Sequence, residues 1–471
     1  MAESNTLACD VAIVGGGISG MIAGLVAAQA GKKVRIYEKS PEERYICNSR
    51  ITSGIFHICN EDIRRDPAEL EQLILTVTEG CADPQLAKAV ATDIMRVIRW
   101  MQDAGIRFMA GPFQHHAFML SPPTLTPQGR SWEGRGGDVM LRTFEAALIK
   151  LGGVLHRGHK VEQLTRDNQR VVGFSGTTAQ GSTFAVNARC VILADGGFQA
   201  NPAITRGPIS PAPDRLLQRN ARTGMGDGLT MAQAAGAAIT DLRGFYGHLQ
   251  SRDAIANDKL WPYPWLDFVA GAGIVVTAQG KRFTDEARGG VSVANATAEL
   301  PDPGATFVVG DQRIWEERGT YYLQAPNPRL VDGGGTFLQA GSLAELAAKT
   351  GIDAATLIAE VDAYNRAVAA KTTATLVPKR STSPLAPFPI VSAPFFAIPM
   401  VAGITYTMGG IHIDANARAL DVSGTPIPGL YAVGCSTGGL EGGASCGYVG
   451  GLVKSSVTGL RAGEHIVTAL A

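Results

Sequence analysis

The chain has 471 residues, of which 45% are hydrophobic and 18% are charged, so it is long enough for two globular domains with cores of their own. Its 42 lysines and arginines balance 42 aspartates and glutamates, which argues against nucleic acid or an anionic membrane as a partner. No apolar run approaches the roughly 18 residues of a membrane span, and the first residues lack a signal-peptide pattern. The 7 scattered cysteines form no CxxC pair, so we expect a reducing, cytoplasmic compartment and no metal, iron–sulfur or c-type haem site.

The first forty residues carry the pattern of a dinucleotide-binding βαβ unit. An apolar strand leads into Gly-Gly-Gly-Ile-Ser-Gly at residues 15–20, an apolar stripe at helical spacing follows, and a second strand ends at Glu38. Gly15 allows the tight turn, Gly17 lets the backbone approach a pyrophosphate, and Gly20 lets the helix pack closely on the strand. We expect the phosphates at the helix N-terminus and a ribose diol at Glu38.

Later elements alternate helices with apolar segments. A helix is predicted to begin after the N-cap Asp83, with Pro84 in its first position, and to end at Gly105. Short strands are predicted around residues 154–173, and a buried strand at 190–194 runs into Asp195. A final helix is predicted to hold the apolar residues Leu452, Val453, Val457, Leu460 and Ile466.

Between Phe245 and about Met400 the character of the sequence changes. The run Trp-Pro-Tyr-Pro-Trp at residues 261–265 is aromatic and rigid. Ser342 and Glu345 form a capping box that opens one helix, and Asp353 opens the next. We interpret this block as an inserted second domain.

Four further segments make the chain resemble the flavoproteins of the fumarate reductase, succinate dehydrogenase and 3-ketosteroid dehydrogenase superfamily. They are similar to that superfamily's strand-to-turn motif beside the FAD, its TGDG segment, its GKRFVNE segment and its returning GLYAVG strand, and they lie at residues 192–198, 223–228, 280–286 and 429–434. Each match is modest, but their order and spacing extend over nearly the whole chain. The helix pair at 342–365 is typical of the superfamily's clamp domain.

The resemblance implies an α/β fold: a Rossmann-like FAD-binding domain with an inserted α+β substrate-capping (clamp) domain. We place the FAD-binding domain at residues 1–243 and 405–471 and the capping domain at 244–404. The resemblance implies FAD rather than NAD, and His57 does not match the superfamily's covalent pattern, so the FAD is expected to be non-covalent.

The glycine-rich segment 438–443 is expected to approach the flavin ring, with a helix N-terminus aimed at the carbonyl edge of the ring. The residues expected to hold FAD are Gly15, Gly17, Ile18, Ser19, Gly20, Glu38, Lys39, Ser49, Ser53, Gly54, Val161, Ala194, Asp195, Gly196, Asp227, Gly434, Gly450 and Leu452.

Members of the superfamily move a hydride between flavin N5 and one carbon of a C–C bond next to a carbonyl or carboxylate, and a proton to or from the other carbon. The resemblance places His248 where the superfamily has a substrate-binding histidine, although the Pro-Thr that follows it there is lost. Tyr406 takes the place of a second such histidine. Strict alignment puts Gly290 at the proton-donating arginine, so Arg288, two residues earlier, is the candidate replacement. The alternatives are a histidine satisfied in the domain wall, a core tyrosine and a surface arginine.

Two further departures concern charge. Trp265 and Phe268 fall near the superfamily's proton-relay residues, and no arginine lies between Gly434 and Arg461, where the superfamily has a clamping arginine. Because a dicarboxylate needs cationic clamps, we expect a neutral or mono-anionic, partly apolar substrate. Tyrosines then become candidates for polarising the carbonyl and moving the proton: Tyr448, Tyr406, Tyr263 and Tyr246.

The leading hypothesis is an FAD-dependent oxidoreductase that desaturates, or reduces, a C–C bond α,β to a carbonyl of a cyclic ketone or steroid-like substrate. The second is a fumarate reductase-like or tricarballylate dehydrogenase-like enzyme of a di- or tricarboxylate, with Arg243 or Arg252 as relocated cations. The third is a flavoprotein without catalytic activity. The small-molecule ketone or carboxylate needs an electron acceptor or donor that the sequence does not identify. Direction, oligomeric state and the identity of the acid/base group also stay open.

Overall fold

The computed structural model describes residues 7–124 and 132–471. Within them the strands are β1 (Leu7–Val14), β2 (Val34–Glu38), β3 (Ile55–Phe56), β4 (Phe108–Met109), β5 (Phe118–Leu120), β6 (Val154–Arg157), β7 (His159–Asp167), β8 (Arg170–Thr178), β9 (Thr183–Leu193), β10 (Leu217–Gln218), β11 (Phe245–Ser251), β12 (Ile274–Thr277), β13 (Thr306–Asp311), β14 (Leu338–Ala340), β15 (Phe395–Thr407), β16 (Arg418–Leu420) and β17 (Pro426–Ala432).

The α-helices of the described residues are α1 (Ile18–Gln29), α2 (Asn48–Ile51), α3 (Pro67–Val77), α4 (Pro84–Asp103), α5 (Gly136–Lys150), α6 (Pro202–Thr205), α7 (Asp227–Ala234), α8 (Asp267–Ala272), α9 (Gly290–Ala298), α10 (Gln312–Glu317), α11 (Arg329–Asp332), α12 (Leu343–Thr350), α13 (Ala354–Ala370) and α14 (Gly451–Ala469). Short 3₁₀ turns include Gln114–His116, Glu286–Arg288 and Gly434–Ser436. None of these helices is both long and apolar enough to cross a bilayer. The cytoplasmic location stays a prediction.

The larger sheet is built on the N-terminal βαβ unit. Its strand order is β16-β17-β9-β1-β2-β6, with β7 and β8 added beside β9. The four central neighbours β17, β9, β1 and β2 pair in parallel, as does β6 with β2. Residues 11–14 of β1 are buried, and α1 packs against α14 and α5. The predicted α/β, Rossmann-like class is confirmed.

A second sheet is built around the long strand β15. Its order is β10-β15-β13-β12, and β11 and β14 also pair with β15. A small third sheet has the order β3-β5-β4. The domain boundaries at 243/244 and 404/405 stay a prediction. In the structure β11 begins at Phe245 and β15 ends at Thr407, whereas β10 joins the second sheet although it precedes residue 244.

Helix starts follow the local sequence. Asp83 accepts hydrogen bonds from the N–H groups of Gln85 and Leu86, and α4 begins at Pro84. Ser342 accepts from the N–H of Glu345 at the start of α12, and Asp353 accepts from that of Thr356 at the start of α13. Each side chain satisfies a backbone donor that the helix itself leaves unpaired.

Candidate active site

A narrow cavity of about 90 Å³ lies at the carboxyl ends of the parallel strands β1, β2 and β9, where open α/β sheets bind ligands. Gly15 adopts φ +102°, and a Cβ there would lie 2.5 Å from the carbonyl oxygen of Ala194. Gly196 adopts φ +90°, and no atom lies within 4 Å of the position a Cβ would take. Gly15 therefore allows the turn to pack closely against Ala194, whereas the bare backbone at Gly196 leaves room for a ligand to approach closely.

Charged groups line the same cavity. The carboxylate of Glu38 accepts hydrogen bonds from the backbone N–H of Gly16 at 3.1 Å and of Ser40 at 3.0 Å. Asp195 accepts from the N–H of Gly228 at 2.7 Å, and burial raises the pKa of its carboxyl from 3.8 to about 6. Lys39 forms an ion pair with Asp227 at 2.9 Å.

A second, larger cavity of about 770 Å³ adjoins the first, since Asn48, Ser49, Cys435 and Ser455 line both. The volume falls in the range of small-molecule sites. Strand β11, the run 261–265, the chain before α14 and the end of β15 form its wall. The aromatic lining consists of Phe113, Tyr246, Trp261, Tyr263, Trp265, Phe268, Tyr321, Tyr322, Tyr406 and Tyr448.

All five predicted catalytic residues line this larger cavity: Tyr406, Tyr448, His248, Arg288 and Tyr263. Of the predicted FAD contacts, Ile18, Ser53 and Leu452 line the larger cavity and Ser49 lines both. Those that line the narrow cavity alone are Gly15, Gly17, Ser19, Glu38, Lys39, Val161, Ala194, Asp195, Gly196 and Asp227. The remaining four, Gly20, Gly54, Gly434 and Gly450, line neither cavity but are each next in sequence to a residue that does. The roles assigned to these residues stay predictions.

His248 has its hydrogen-bonding capacity taken up by protein. Its Nδ1 lies 2.6 Å from Oδ2 of Asp267, and its Nε2 lies 2.8 Å from the hydroxyl of Tyr246. The indole of Trp265 stacks on the imidazole at a centroid distance of 3.7 Å. Burial lowers the pKa of His248, and Asp267 opposes that shift. Both ring nitrogens face protein partners, so donation from His248 directly to substrate stays a prediction that requires one of these hydrogen bonds to open.

Tyr406 is held in a similar way. Its hydroxyl donates to Oε1 of Glu441 at 2.8 Å, and that carboxylate also accepts from the N–H of Val449 and lies 3.4 Å from the ammonium of Lys454. Glu441 and Lys454 are both buried. The one hydroxyl proton of Tyr406 faces Glu441, and donation from Tyr406 to a substrate carbonyl stays a prediction. In this arrangement Tyr406 fixes the start of α14 through Glu441.

Two arginines of the described residues, Arg219 and Arg288, line the larger cavity, and Arg219 was not predicted from the sequence. Arg219 is buried, donates from Nη1 to Oγ1 of Thr405 at 2.8 Å and from Nε to the carbonyl of Pro262 at 3.2 Å, and lies over the rings of Tyr263 and Trp265. Among the described residues no carboxylate lies within 4.0 Å of it. Arg288, the predicted replacement donor, is exposed at the cavity's edge.

The structure corrects three expectations about which parts of the chain reach the cavities. Residues 438–443 line neither cavity. A Cβ on Gly443 would instead meet the carbonyl of Thr78, and one on Gly438 would meet Thr240, so these glycines allow close packing between protein segments. Arg243 pairs with Asp241 on the exposed surface, and Arg252 donates to the carbonyl of Gly304, so neither supplies a cation to the cavity.

His57 lines the larger cavity, and its Nδ1 accepts from the N–H of Asn60 at 3.1 Å. Burial lowers the pKa of His57 to about 3, so the ring is neutral. Within the described ranges no three His, Cys, Asp or Glu side chains come together as a metal site would need.

The comparisons with known proteins agree with this geometry. The model of a family described as FAD binding domain matches residues 10–447. Urocanate reductase of Eggerthella lenta is 27% identical over 469 residues, which cover 93% of this chain and 71% of that protein. The 4-oxocyclohexanecarboxylate 2-dehydrogenase of Sinomonas cyclohexanicum is 31% identical over 349 residues, which cover 67% of this chain and 57% of that protein.

A solved structure shares the fold. The 3-ketosteroid-Δ4-(5α)-dehydrogenase of Rhodococcus jostii RHA1, in complex with 4-androstene-3,17-dione, superposes with a TM-score of 0.73 at 23% identity. The match covers 99% of this chain and 98% of that one.

Proposed function

This chain belongs to the FAD binding domain family and is an FAD-dependent oxidoreductase that acts on C–C bonds, and on that premise we propose that its substrate is a partly apolar cyclic ketone with at most one carboxylate. The enzyme introduces, or in reverse reduces, the double bond next to the carbonyl. The observation that carries this proposal is the aromatic cavity in whose lining, over the residues that the structure describes, Arg219 is the one buried cation.

The residues that line the narrow cavity fit the phosphate and ribose of the dinucleotide, and the predicted FAD contacts Ile18, Ser53 and Leu452 continue into the larger cavity. The bare backbone at Gly196 gives the dinucleotide room to approach, and the N-terminus of α1 favours an anion. Glu38 lies where a ribose diol can donate to it. When bound, FAD supplies a hydride acceptor or donor, with N5 of its ring as the reacting atom.

Substrate polarity follows from the lining of the larger cavity. The aromatic rings bury an apolar ring system. Arg219 has no carboxylate partner of its own within 4.0 Å among the described residues, so it is available to pair with one carboxylate or ketone oxygen. We infer that a bound ring system and the aromatic wall together exclude water, which strengthens the Arg219 contact and protects the reacting carbon.

A second candidate is a reductase of an unsaturated di- or tricarboxylate. The presence of Arg288 beside Arg219 in the lining favours it, since two cations can hold two carboxylates. Against it, Arg288 is exposed, and an exposed cation binds a carboxylate more weakly than a buried one.

The test is anaerobic mixing of the purified holoenzyme with 4-oxocyclohexanecarboxylate, cyclohexanone, a saturated 3-ketosteroid and succinate, followed by flavin absorbance. In the reverse direction the dithionite-reduced enzyme is mixed with 2-cyclohexenone, urocanate and fumarate. Reaction with the cyclic ketones or 2-cyclohexenone supports the proposal. Reaction with fumarate and succinate alone contradicts it.

Arg219→Met sharpens the assignment. This variant removes the proposed hydrogen bond between Arg219 and the substrate carboxylate, a charge-assisted bond of ~1.5–3 kcal/mol. We therefore expect KM for the carboxylated ketone to rise about 10- to 100-fold and KM for cyclohexanone to change little. Arg243→Met, on the exposed surface, is the matched control and should leave both values unchanged. An equal effect of Arg219→Met on the two ketones would exclude a carboxylate partner for Arg219.

A further inference from the structure

Three polar side chains in the wall of the larger cavity form one hydrogen-bonded series. The Tyr246 hydroxyl lies 2.8 Å from Nε2 of His248, and Nδ1 of His248 lies 2.6 Å from Oδ2 of Asp267. Oδ1 of Asp267 accepts from the N–H of Leu249 at 2.9 Å. All three side chains line the cavity, and His248 and Asp267 are buried in its wall.

The chemistry of the groups fixes the direction of these hydrogen bonds. An ionised aspartate can only accept, so Nδ1 of His248 carries the proton that faces Asp267. In neutral histidine Nε2 is then an acceptor, and Tyr246 donates its hydroxyl proton to it. This is the geometry in which a carboxylate orients a histidine as the base for a neighbouring hydroxyl.

Gly290 makes room for this series. A Cβ at residue 290 would lie 2.0 Å from Cγ and Oδ2 of Asp267, so any side chain there would displace the carboxylate. Residue 290 is the position at which strict alignment expects the superfamily's proton-donating arginine. The chain therefore has no side chain at that position and a buried carboxylate packed against it.

Building on the proposed function, we propose that Tyr246 exchanges the α-proton of the substrate, and that His248, oriented by Asp267, takes up and returns the phenolic proton. In desaturation the α-C–H bond breaks and its proton goes to Oη of Tyr246, while the former phenolic proton goes to Nε2 of His248. The hydride leaves the β-carbon with two electrons for the bound FAD, and the C=C bond forms. Reduction runs the same transfers in reverse.

The surroundings of Tyr246 favour transfer of its phenolic proton to His248 over formation of a free phenolate. Burial raises the pKa of Tyr246 to about 12, so the phenol is protonated at neutral pH. The titratable and charged groups that face the Tyr246–His248 pair are Asp267, Arg219, Tyr263, Tyr322 and Tyr448. The ring of Tyr448 stacks on that of Tyr246 at 3.9 Å and limits its movement.

The first arm of the test needs no turnover. The proton NMR spectrum of the holoenzyme should show a far-downfield signal from the proton between His248 and Asp267. Asp267→Asn and His248→Gln should abolish it, and Tyr246→Phe should shift it without loss. A spectrum in which the signal is missing from the unchanged enzyme overturns the proposal.

The second arm follows exchange of the substrate α-proton with D₂O and the pH profile of flavin reduction. Tyr246→Phe should slow both at least 100-fold with flavin content unchanged. Asp267→Asn should lower the rate and move the inflection of the profile to lower pH by about one unit, since Asp267 stabilises protonated His248, and Asp267→Glu should restore part of the rate. Unchanged α-exchange in Tyr246→Phe, or an unmoved inflection in Asp267→Asn, overturns the proposal.

Gly290→Ala displaces Asp267 without removing a polar group and should reproduce the Asp267→Asn profile; wild-type behaviour contradicts the proposal. The matched control is Tyr431→Phe, which breaks a tyrosine–histidine pair with His465 outside the cavity and should leave the rate unchanged. If the ketones fail and an unsaturated acid reacts instead, the proposed substrate class is wrong, and the same variants assayed on that acid still decide the role of Tyr246.

Discussion

The environment of the narrow cavity shifts the pKa of one side chain in its lining, Asp195. Its carboxyl follows the end of β9, is half-buried in the lining of the narrow cavity, and has its pKa raised by burial from 3.8 to about 6. The folded protein therefore holds a proton that the unfolded chain has already released. The stabilisation from this group is complete below pH 3.8 and is lost as the pH rises to about 6.

Asp195→Asn should remove that dependence. The amide oxygen can still accept from the N–H of Gly228, but the residue no longer titrates. The unchanged protein loses stability as the pH rises, and the variant does not. We therefore expect the difference in the free energy of unfolding, variant minus unchanged protein, to increase by up to ~3 kcal/mol between pH 4 and pH 7. Urea unfolding of the FAD-free protein at several pH values measures it, and a pH-independent difference would contradict the assigned pKa.

Single residues also mark the limit of what the sequence could predict about the site. The glycines at 15–20 and Glu38 belong to a local pattern of about forty residues that by itself predicts a dinucleotide-binding βαβ unit. Arg219 belongs to no such pattern, and its partners Pro262 and Thr405 come from distant parts of the chain. The partner of Tyr406, Glu441, is 35 residues away, so the hydrogen bond from the Tyr406 hydroxyl to Glu441 could not be predicted from the sequence.

At the scale of elements, helix α4 offers a test of local encoding. Asp83 accepts hydrogen bonds from two N–H groups of the first turn, at 2.8 and 3.0 Å, and its own N–H donates to Gly439. Asp83→Ala should lower the free energy of unfolding by about 1 kcal/mol, and Asp83→Asn by much less, because asparagine caps equally well. Urea unfolding of both variants decides it; equal losses would mean that the charge rather than the cap stabilises α4.

Elements with a strong local signal were predicted, and those defined by pairing were not. The starts of α4, α12 and α13 follow from Asp83, Ser342 and Asp353. Strand β10 has only two residues, too few for any periodicity, and exists because it pairs with Gly403 and Ile404 of β15. Segment 438–443 was predicted to approach the flavin ring, but Gly438 and Gly443 pack against other protein segments, because glycine content does not tell which surface is approached.

At the scale of the whole molecule, the larger cavity lies where segments of both main sheets and their connections meet. The phenol of Tyr322 joins two of these segments, because its oxygen lies 2.9 Å from Nε2 of both His115 and His116. The ring of Phe113 stacks on it at 4.6 Å. Burial lowers the pKa of both histidines, so at neutral pH the phenol donates to one ring and accepts from the other.

Tyr322→Phe should therefore loosen this edge of the cavity while keeping the ring stack. Two hydrogen bonds of about 1 kcal/mol each are lost, which favours separation of the two segments by roughly 30-fold. We expect the association and dissociation rates of a bound ketone to rise together, with little change in Kd, as measured by stopped-flow flavin absorbance. Tyr364→Phe, which removes a hydrogen bond to the carbonyl of Ala272 away from the cavity, is the control. Unchanged rates in Tyr322→Phe would show that substrate enters elsewhere.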